Sequence, residues 1–131
     1  MSIIFVFLLM IFMHILDDFG LQKGLLCFMK QKKWWESQED FKPLYRFDYI
    51  WGLFIHSFSW SFMIMLPIAI YQGLGVGPRY AAFVVLNFAI HACVDDLKAN
   101  KGKINLWIDQ LMHIVQIIIT FVSWNITGFN F

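Results

Sequence analysis

Residues 80–98 read YAAFVVLNFAIHACVDDLK, an apolar run that carries a histidine and a carboxylate four positions apart. About 20 apolar residues are needed to cross the hydrocarbon core of a bilayer as a helix. Positions i and i+4 lie on one face of a helix, so His91 and Asp95 share a face. The stretch therefore predicts a membrane-spanning helix over about 80–97 with one polar face. Ionisable side chains inside a membrane are costly unless they are paired or line a polar cavity, which makes this pair a candidate functional site.

Three other segments have a similar apolar length, at about 2–21, 49–71 and 104–124. The chain of 131 residues is 60% hydrophobic and 15% charged, and its mean hydropathy is +0.63. This composition excludes a disordered chain and is unlike that of an ordinary soluble domain. Because backbone groups in lipid must be hydrogen-bonded within the protein, and the sequence lacks barrel-type alternation, the spans are expected to be helices. The prediction is an all-α polytopic membrane protein, a single membrane domain over 1–131 with four transmembrane helices in a bundle.

The connections 22–48 and 98–103 hold nine of the ten basic residues, which are Lys23, Lys30, Lys32, Lys33, Lys42, Arg46, Lys98, Lys101 and Lys103. By the positive-inside rule these connections face the cytoplasm, and both termini lie outside it, which predicts a multi-pass protein of the inner (cytoplasmic) membrane. The first connection begins apolar and then becomes basic and aromatic. That pattern predicts an amphipathic interfacial helix that continues the first span, with its lysines at the lipid head groups.

The four histidines occur one per span, and they are His14, His56, His91 and His113. Each lies seven to ten positions from the nearest basic residue of the cytoplasmic connections. At about 1.5 Å per residue, this places the four imidazoles in one layer, roughly 10–15 Å inside the basic margin. Three of them have an acidic partner four positions away, in the pairs His14 with Asp18, His91 with Asp95, and His113 with Asp109. Because successive spans run in opposite directions, each of these carboxylates comes to the cytoplasmic side of its histidine.

Further polar residues extend these faces at helical spacing, namely Gln22, Asn87 and Gln116. Polar faces on apolar helices can be buried only against one another, so we expect a polar cavity that opens toward the cytoplasm. The two remaining carboxylates of the Asp-Asp pairs, Asp17 and Asp96, are expected to face head groups or to support the site. Lys98 is expected to snorkel or to form a salt bridge, and it could also hold an anionic group of a substrate.

Imidazole nitrogens and carboxylate oxygens are ligands for zinc, iron and manganese, whereas Cys27 and Cys93 are not placed to form a sulfur site. We therefore expect a divalent metal ion, with zinc as the first choice and iron or manganese as alternatives. The candidate ligands are His14, Asp18, His56, His91, Asp95, Asp109 and His113. Three ligands would leave one position open on a tetrahedral zinc ion, while the other acids could orient histidines; seven ligands also permit a two-metal site. The candidate catalytic carboxylates are Asp18, Asp95 and Asp109, and the supporting residues are Gln22, Lys98 and Gln110.

At these residues the chain resembles the bacterial and phage membrane family called domain of unknown function 3307. The motifs that carry the resemblance are His-x-x-x-Asp-Phe-x-x-Gln (His14, Asp18, Phe19, Gln22), the mid-chain His56, His-x-x-x-Asp-x-x-Lys (His91, Asp95, Lys98) and Asp-Gln-x-x-His (Asp109, Gln110, His113). The resemblance covers nearly the whole chain. It implies a small polytopic membrane protein, of bacterial or bacteriophage origin, and it implies no particular reaction. The additional Asp17 and Asp96 leave open which carboxylate of each pair acts. There is also a similarity in kind to small membrane-bound metal-dependent hydrolases.

Several functions fit these patterns. The first is a metal-dependent hydrolase that acts on a lipid or other amphipathic substrate near the cytoplasmic leaflet, with a metal-activated water as nucleophile and an aspartate as proton carrier. The second is a proton- or cation-coupled transporter or channel, which with four helices per chain would need a homo-oligomer. Haem ligation by two histidines and a non-catalytic phage membrane protein are further alternatives. Membrane lipid is the expected partner, and the net charge of +1 indicates no nucleic-acid partner.

Overall fold

The computed structural model describes residues 2–38 and 43–128, so that Lys42 of the first connection lies outside the described residues. Within these ranges the chain is helical and contains no strand. The helices are α1 (Ile3–Ile15), α2 (Leu25–Met29), α3 (Lys32–Glu36), α4 (Asp48–Tyr71), α5 (Pro78–Ala99) and α6 (Leu106–Gly128). A π-helical turn, Leu16–Leu21, extends α1, and a short 3-10 helix, Pro43–Tyr45, precedes α4.

Four helical segments are long and apolar enough to cross a membrane, and they are Ile3–Leu21, Pro43–Tyr71, Pro78–Ala99 and Leu106–Thr127. They correspond to the four predicted spans, which confirms the predicted all-α architecture. Large apolar side chains point outward from them, as Leu86 and Ile119 show with 56% and 59% of their surface exposed, whereas all four histidines are buried. A soluble domain has the opposite arrangement. The distribution of polarity is that of a multi-pass membrane protein.

The four long helices pack as a ring in the order α1, α4, α5, α6. Helix α4 packs most extensively, against α5 on one side and α1 on the other, and α6 closes the ring through contacts with α5 and α1. Lipid tails are as apolar as the helices, so such a bundle is held together by close packing and by hydrogen bonds between helices. The polar residues in the interior are therefore part of what holds the helices in register.

The interior of the bundle has an apolar half and a polar half. The apolar half lies toward the ends of the helices that are joined by the turn between α4 and α5, and its buried side chains include Val6, Met10, Ile64, Met65, Ile68, Ile117 and Trp124. The polar half lies toward the two basic connections and contains the four histidines and the buried carboxylates Asp17, Asp95 and Asp109. A site in the polar half is thus closed off from the opposite end of the bundle by packed apolar side chains.

In the described residues 22–38, the first connection forms two short helices, α2 and α3, and does not continue the first span as a single helix. The chain turns at Gly24, whose φ of 71° lies in the left-handed region that glycine adopts without strain. The following helix, α2, then lies against α4 at Gly52, where a Cβ atom would come within 2.5 Å of the Met29 carbonyl group. This close approach directs Lys30, at the end of α2, into the bundle. The prediction that the lysines of this connection lie at the head groups is wrong for Lys30.

Candidate metal centre

The four imidazole rings converge in the polar half of the bundle. His56 Nε2 lies 3.1 Å from His91 Nε2, and the rings of His91 and His113 stack with their centroids 4.2 Å apart. The ring of His14 lies edge-on to that of His113, at 5.8 Å between centroids. Each of the four residues is at most 3% exposed. These contacts confirm the prediction of one buried histidine layer.

Trp60 separates this layer from the apolar half. Its indole Nε1 donates a 2.8 Å hydrogen bond to His14 Nδ1, and its ring stacks on that of His91 with 4.1 Å between centroids. The indole is fully buried. Trp60 was not predicted as part of the site, although its spacing of four from His56 places it on the polar face of α4 and could have identified it.

Asp95 is the carboxylate shared by three histidines. Its Oδ2 lies 2.6 Å from His56 Nε2, and its Oδ1 lies 3.4 Å from His113 Nε2 and 3.8 Å from His91 Nε2. The ammonium of Lys30 lies 2.5 Å from Asp95 Oδ2 and 2.9 Å from His56 Nε2, with 12% of the lysine side chain exposed. Lys30 was not predicted as a site residue, because nothing in its local sequence distinguishes it from the other connection lysines.

The other two candidate catalytic carboxylates, Asp109 and Asp18, each contact one or two histidines, and the side-chain amide of Gln110 donates to both. Asp109 Oδ1 is 3.4 Å from His113 Nε2, and its Oδ2 is 2.6 Å from the ammonium of Lys98. This contact confirms the predicted salt bridge of Lys98. Asp18 lies 3.8 Å from both His14 Nδ1 and His56 Nε2. Its Oδ2 accepts a 3.1 Å hydrogen bond from the side-chain amide of Gln110.

The remaining carboxylates of the two Asp-Asp pairs, Asp17 and Asp96, lie in different surroundings. Asp17 is fully buried, where it accepts hydrogen bonds from the Ser59 hydroxyl, at 2.6 Å, and from the side-chain amide of Gln22. Of the two positions expected for Asp17, the structure shows the supporting one and not the head-group-facing one, because Asp17 lies three positions after His14 on the buried face of the first span. Asp96 is partly exposed and bonds Lys101 at 2.7 Å, outside the site. In each pair it is thus the other carboxylate, Asp18 or Asp95, that reaches the histidines.

A second buried polar network joins α5 and α6 closer to the apolar half. Asn87 Oδ1 accepts hydrogen bonds from Gln116 Nε2, at 2.9 Å, and from Thr120 Oγ1, at 2.8 Å. Asn87 and Gln116 were predicted on the polar faces of their helices, and both are buried there. Their side chains bond one another and not the histidines.

Two sets of three side chains have the spacing of a metal site. In each set the potential ligand atoms lie within 4.8 Å of one another, and the sets are Asp18, His56 and His91, and His91, Asp95 and His113. His91 belongs to both. His14 and Asp109, which were also predicted as ligands, belong to neither set; His14 Nδ1 accepts from Trp60, and Asp109 is held by Lys98.

The donor atoms of these sets fit a cation. Within the described residues, both ring nitrogens of His113 and Oδ1 of Asp18 are buried and have no hydrogen-bond partner. Buried polar atoms are nearly always paired, with protein groups, with water or with an ion. Nitrogen and carboxylate donors gathered in this way suit a divalent metal ion, and each set would leave a coordination position open.

A cleft of about 400 Å³ leads from these residues toward the basic connections. We call it the polar cleft, and its charged and polar lining includes Asp18, Lys30, His56, Asp95, Lys98 and Gln110. Phe19 and Leu106 add an apolar side. The polar cleft gives the predicted cavity a definite position, beside the histidine layer and on the side of the two basic connections.

Comparison with known protein families gives one finding for the chain as a whole. The profile of the family described as protein of unknown function (DUF3307) matches residues 5–130, a range that includes every histidine and carboxylate of the site. The chain belongs to this family. No curated protein and no solved structure matches it.

Proposed function

We propose that this member of the DUF3307 family is a membrane hydrolase that uses a divalent metal ion to cleave a lipid or another amphipathic substrate. The observation that carries the proposal is the convergence of two three-ligand sets on His91, whose Nε2 lies 3.1 Å from Nε2 of His56, a residue that lines the polar cleft. A buried metal site with an adjoining cleft is the arrangement that a metal-dependent enzyme requires.

The set His91, Asp95 and His113 is the better site for a first metal ion. Oδ1 of Asp95 faces His91 and His113, while Oδ2 is held by Lys30 and His56. Lys30 can therefore keep its ion pair and orient the ligand carboxylate from behind, as outer hydrogen bonds to ligands do in metal sites. Zinc suits these donors best, and iron or manganese would also be accepted. The set that contains Asp18 and His56 could hold a second ion.

A bound divalent cation would lower the pKa of a water ligand and polarise the bond to be cleaved. Of the three candidate catalytic carboxylates, Asp18 is the best placed to accept the proton of that water. It lines the polar cleft, and its Oδ1 has no hydrogen-bond partner within the described residues. Asp95 and Asp109 are engaged by Lys30 and Lys98, so we assign them to ligand and structural roles.

A proton- or cation-coupled carrier is the second candidate, since Asp18, His56, Asp95, His113 and Asp109 form a run in which successive side chains lie within 3.8 Å. Transport would require this run to continue across the bundle. Beyond it, the buried polar network of Asn87, Gln116 and Thr120 extends one to two turns further along α5 and α6. Toward the opposite end, the interior is filled by apolar side chains such as Val6, Ile68 and Trp124. A site open toward one end therefore favours an enzyme over a carrier.

Haem ligation fits the geometry poorly. The ring of His91 lies between those of Trp60 and His113, with centroid distances of 4.1 and 4.2 Å. A porphyrin iron at Nε2 of this ring would have to displace His56 and Asp95, whose Nε2 and Oδ1 atoms lie 3.1 and 3.8 Å from that nitrogen. A preparation with a Soret absorbance band would contradict this argument.

Elemental analysis tests the metal directly. Protein purified without chelator and without a histidine tag should contain about one zinc, iron or manganese ion per chain, and His91→Ala should remove it, because His91 is common to both sets. A folded parent protein that contains no metal ion after incubation with each of the three metals would overturn the proposal.

Activity is tested by incubating the metal-loaded protein with membrane lipid extract and following the products by mass spectrometry. Asp18→Asn should lower the rate of hydrolysis about 100-fold or more, which is the usual contribution of a general base, while metal remains at His91, Asp95 and His113. Proton or cation flux in proteoliposomes, without hydrolysis, would instead support the carrier.

A further inference from the structure

We propose that the substrate is an anionic lipid whose hydrocarbon chain lies in a groove between α5 and α6 and whose head group enters the polar cleft beside Lys98. This inference rests on the proposed function and specifies its substrate class. It is drawn from a second cavity of the bundle, from the helix face that joins the two cavities, and from the charge at the junction.

The second cavity has a volume of about 430 Å³ and lies on the surface of the bundle between α5 and α6. We call it the α5–α6 groove, and its apolar walls include Leu86, Ile90, Val94, Leu111, Val115 and Ile119. Several of these side chains are among the exposed apolar residues of the helices, so the groove is accessible from the lipid. Its floor is the buried network of Asn87, Gln116 and Thr120, whose mutual hydrogen bonds already join the two helices.

The groove and the polar cleft lie along the same face of α5. Ile90, Val94 and Lys98 follow one another at intervals of four positions and therefore form one stripe of the helix. Ile90 and Val94 line the groove, whereas Lys98 lines the cleft. A molecule that occupies the groove thus has one end at Lys98, within reach of the cleft.

The dimensions of the groove suit a single hydrocarbon chain. Its lining residues on α5 extend from Phe83 to Val94, which is about 16 Å at 1.5 Å per residue. This is roughly half of the 30 Å hydrocarbon core of a bilayer, and so about the depth of one leaflet.

The charge at the junction selects an anionic head group. The Lys98 side chain is 32% exposed and lines the cleft, whereas the side chain of its partner Asp109 is 1% exposed and does not line it. At this ion pair, a head group in the cleft therefore contacts the lysine and not the aspartate. A phosphate or carboxylate of a lipid can pair with Lys98 there, while a neutral head group gains no ion pair.

The binding test uses the metal-loaded protein in detergent, with phosphatidic acid as the probe and diacylglycerol with the same acyl chains as the uncharged comparison. Native mass spectrometry should detect one phosphatidic acid per chain, with at least about a tenfold preference over diacylglycerol. Lys98→Gln should abolish the preference, and Lys98→Arg should retain it.

Two adjacent isoleucines provide a matched pair for the groove itself. Ile119→Trp places an indole in the groove and should weaken lipid retention about tenfold or more, whereas Ile118, which is exposed but does not line the groove, should tolerate the same change. Equal retention by the two variants, or equal retention of the two lipids by the parent, would overturn the inference. So would a dimer that Ile119→Trp dissociates, since a second copy of the chain would then occupy the groove.

Metal content measured on the same samples separates the two proposals. A parent protein that prefers phosphatidic acid but binds no metal contradicts the proposed hydrolase and leaves the lipid site standing. A parent protein that binds metal but has no lipid preference contradicts the lipid site alone.

Discussion

The imidazole rings of His91 and His113 stack 4.2 Å apart between α5 and α6, and both face the same oxygen of Asp95. Neither residue has any exposed surface. Two imidazole rings and a carboxylate in so small a buried volume form a set of donors for a cation, whereas His14 is bonded to Trp60. The four histidines are therefore expected to contribute unequally to the binding of a metal ion.

His91→Ala and His14→Ala should differ in metal binding. His91→Ala removes a ligand that belongs to both three-ligand sets, so zinc affinity should fall by at least about 10- to 100-fold, a loss that removal of an outer-shell partner alone can already cause. His14→Ala should retain zinc, because His14 belongs to neither set. Isothermal titration of the metal-free proteins measures both affinities. An equal loss in the two variants would contradict the assignment of ligands.

Lys30→Met should destabilise the protein, because it leaves the 3% exposed carboxylate of Asp95 without its ammonium partner. Removal of one member of a buried ion pair costs about 3–5 kcal/mol. Lys32→Met is the control, since the Lys32 and Glu36 side chains are about half exposed and 3.7 Å apart, and such surface pairs contribute at most about 1 kcal/mol. Unfolding in detergent micelles compares the two variants. Similar small losses in both would indicate that Lys30 does not remain in the site in solution.

Gly52→Ala should shift α2 away from α4. The added methyl carbon would lie 2.5 Å from the Met29 carbonyl group, which is backbone and cannot rotate aside as a side chain can. Overpacking of this kind costs about 1–3 kcal/mol, and it should also withdraw Lys30 from Asp95. Thermal unfolding and hydrogen exchange over residues 25–36 measure the two effects. Gly75→Ala, where the nearest atom is 3.7 Å from the new carbon, should leave both unchanged.

Trp60→Phe and Trp60→Ala separate the two roles of the indole. Phenylalanine retains an aromatic ring against His91 but removes the hydrogen bond to His14, at a cost of about 0.5–1.5 kcal/mol. Alanine leaves a cavity in place of the fully buried indole and should lower the free energy of unfolding by about 3–5 kcal/mol. Chemical denaturation in detergent checks the order. If the two variants lose the same stability, the hydrogen bond and not the packing holds the histidine layer.

Cysteine labelling in intact cells tests the orientation that the charge distribution predicts. In a background with Cys27 and Cys93 replaced by serine, Ser37→Cys in the first connection should react only with reagents that reach the cytoplasm. Gly75→Cys, in the turn between α4 and α5, should react from the other side. Labelling of Ser37→Cys by an impermeant reagent from outside the cell would reverse the proposed orientation.

The spans and the histidine layer were predictable because they depend on local patterns. A run of about 20 apolar residues and a spacing of four positions express helix geometry alone, and that geometry is the same in every helix. The depth of each histidine followed from counting along its own span. The ion pair of Lys98 could also be predicted, since a lysine one turn beyond Asp95 on the same helix must lie near the site.

Such reasoning reaches Asp17 and Lys30 to different extents. Asp17 follows the buried Val6, Met10 and His14 at intervals of three and four positions, so its burial continues one face of the first span, whereas its contact with Ser59 depends on how α4 packs. Lys30 enters the site because α2 folds back onto Gly52, a contact between segments that are far apart in the sequence. That contact leaves no periodic trace in the chain.

The apolar runs and the spacing of the polar residues thus establish a bundle of four apolar helices with histidines and carboxylates at one depth, because burial in lipid penalises every unpaired polar group and so makes the pattern explicit. Which of these groups meet depends on how the helices pack. The packing places His91 in both ligand sets, leaves His14 and Asp109 outside them, and brings Lys30 into contact with Asp95. Helix periodicity specifies the face of each helix, whereas the rotation and spacing of the helices depend on contacts between distant segments, such as that of Gly52 with Met29.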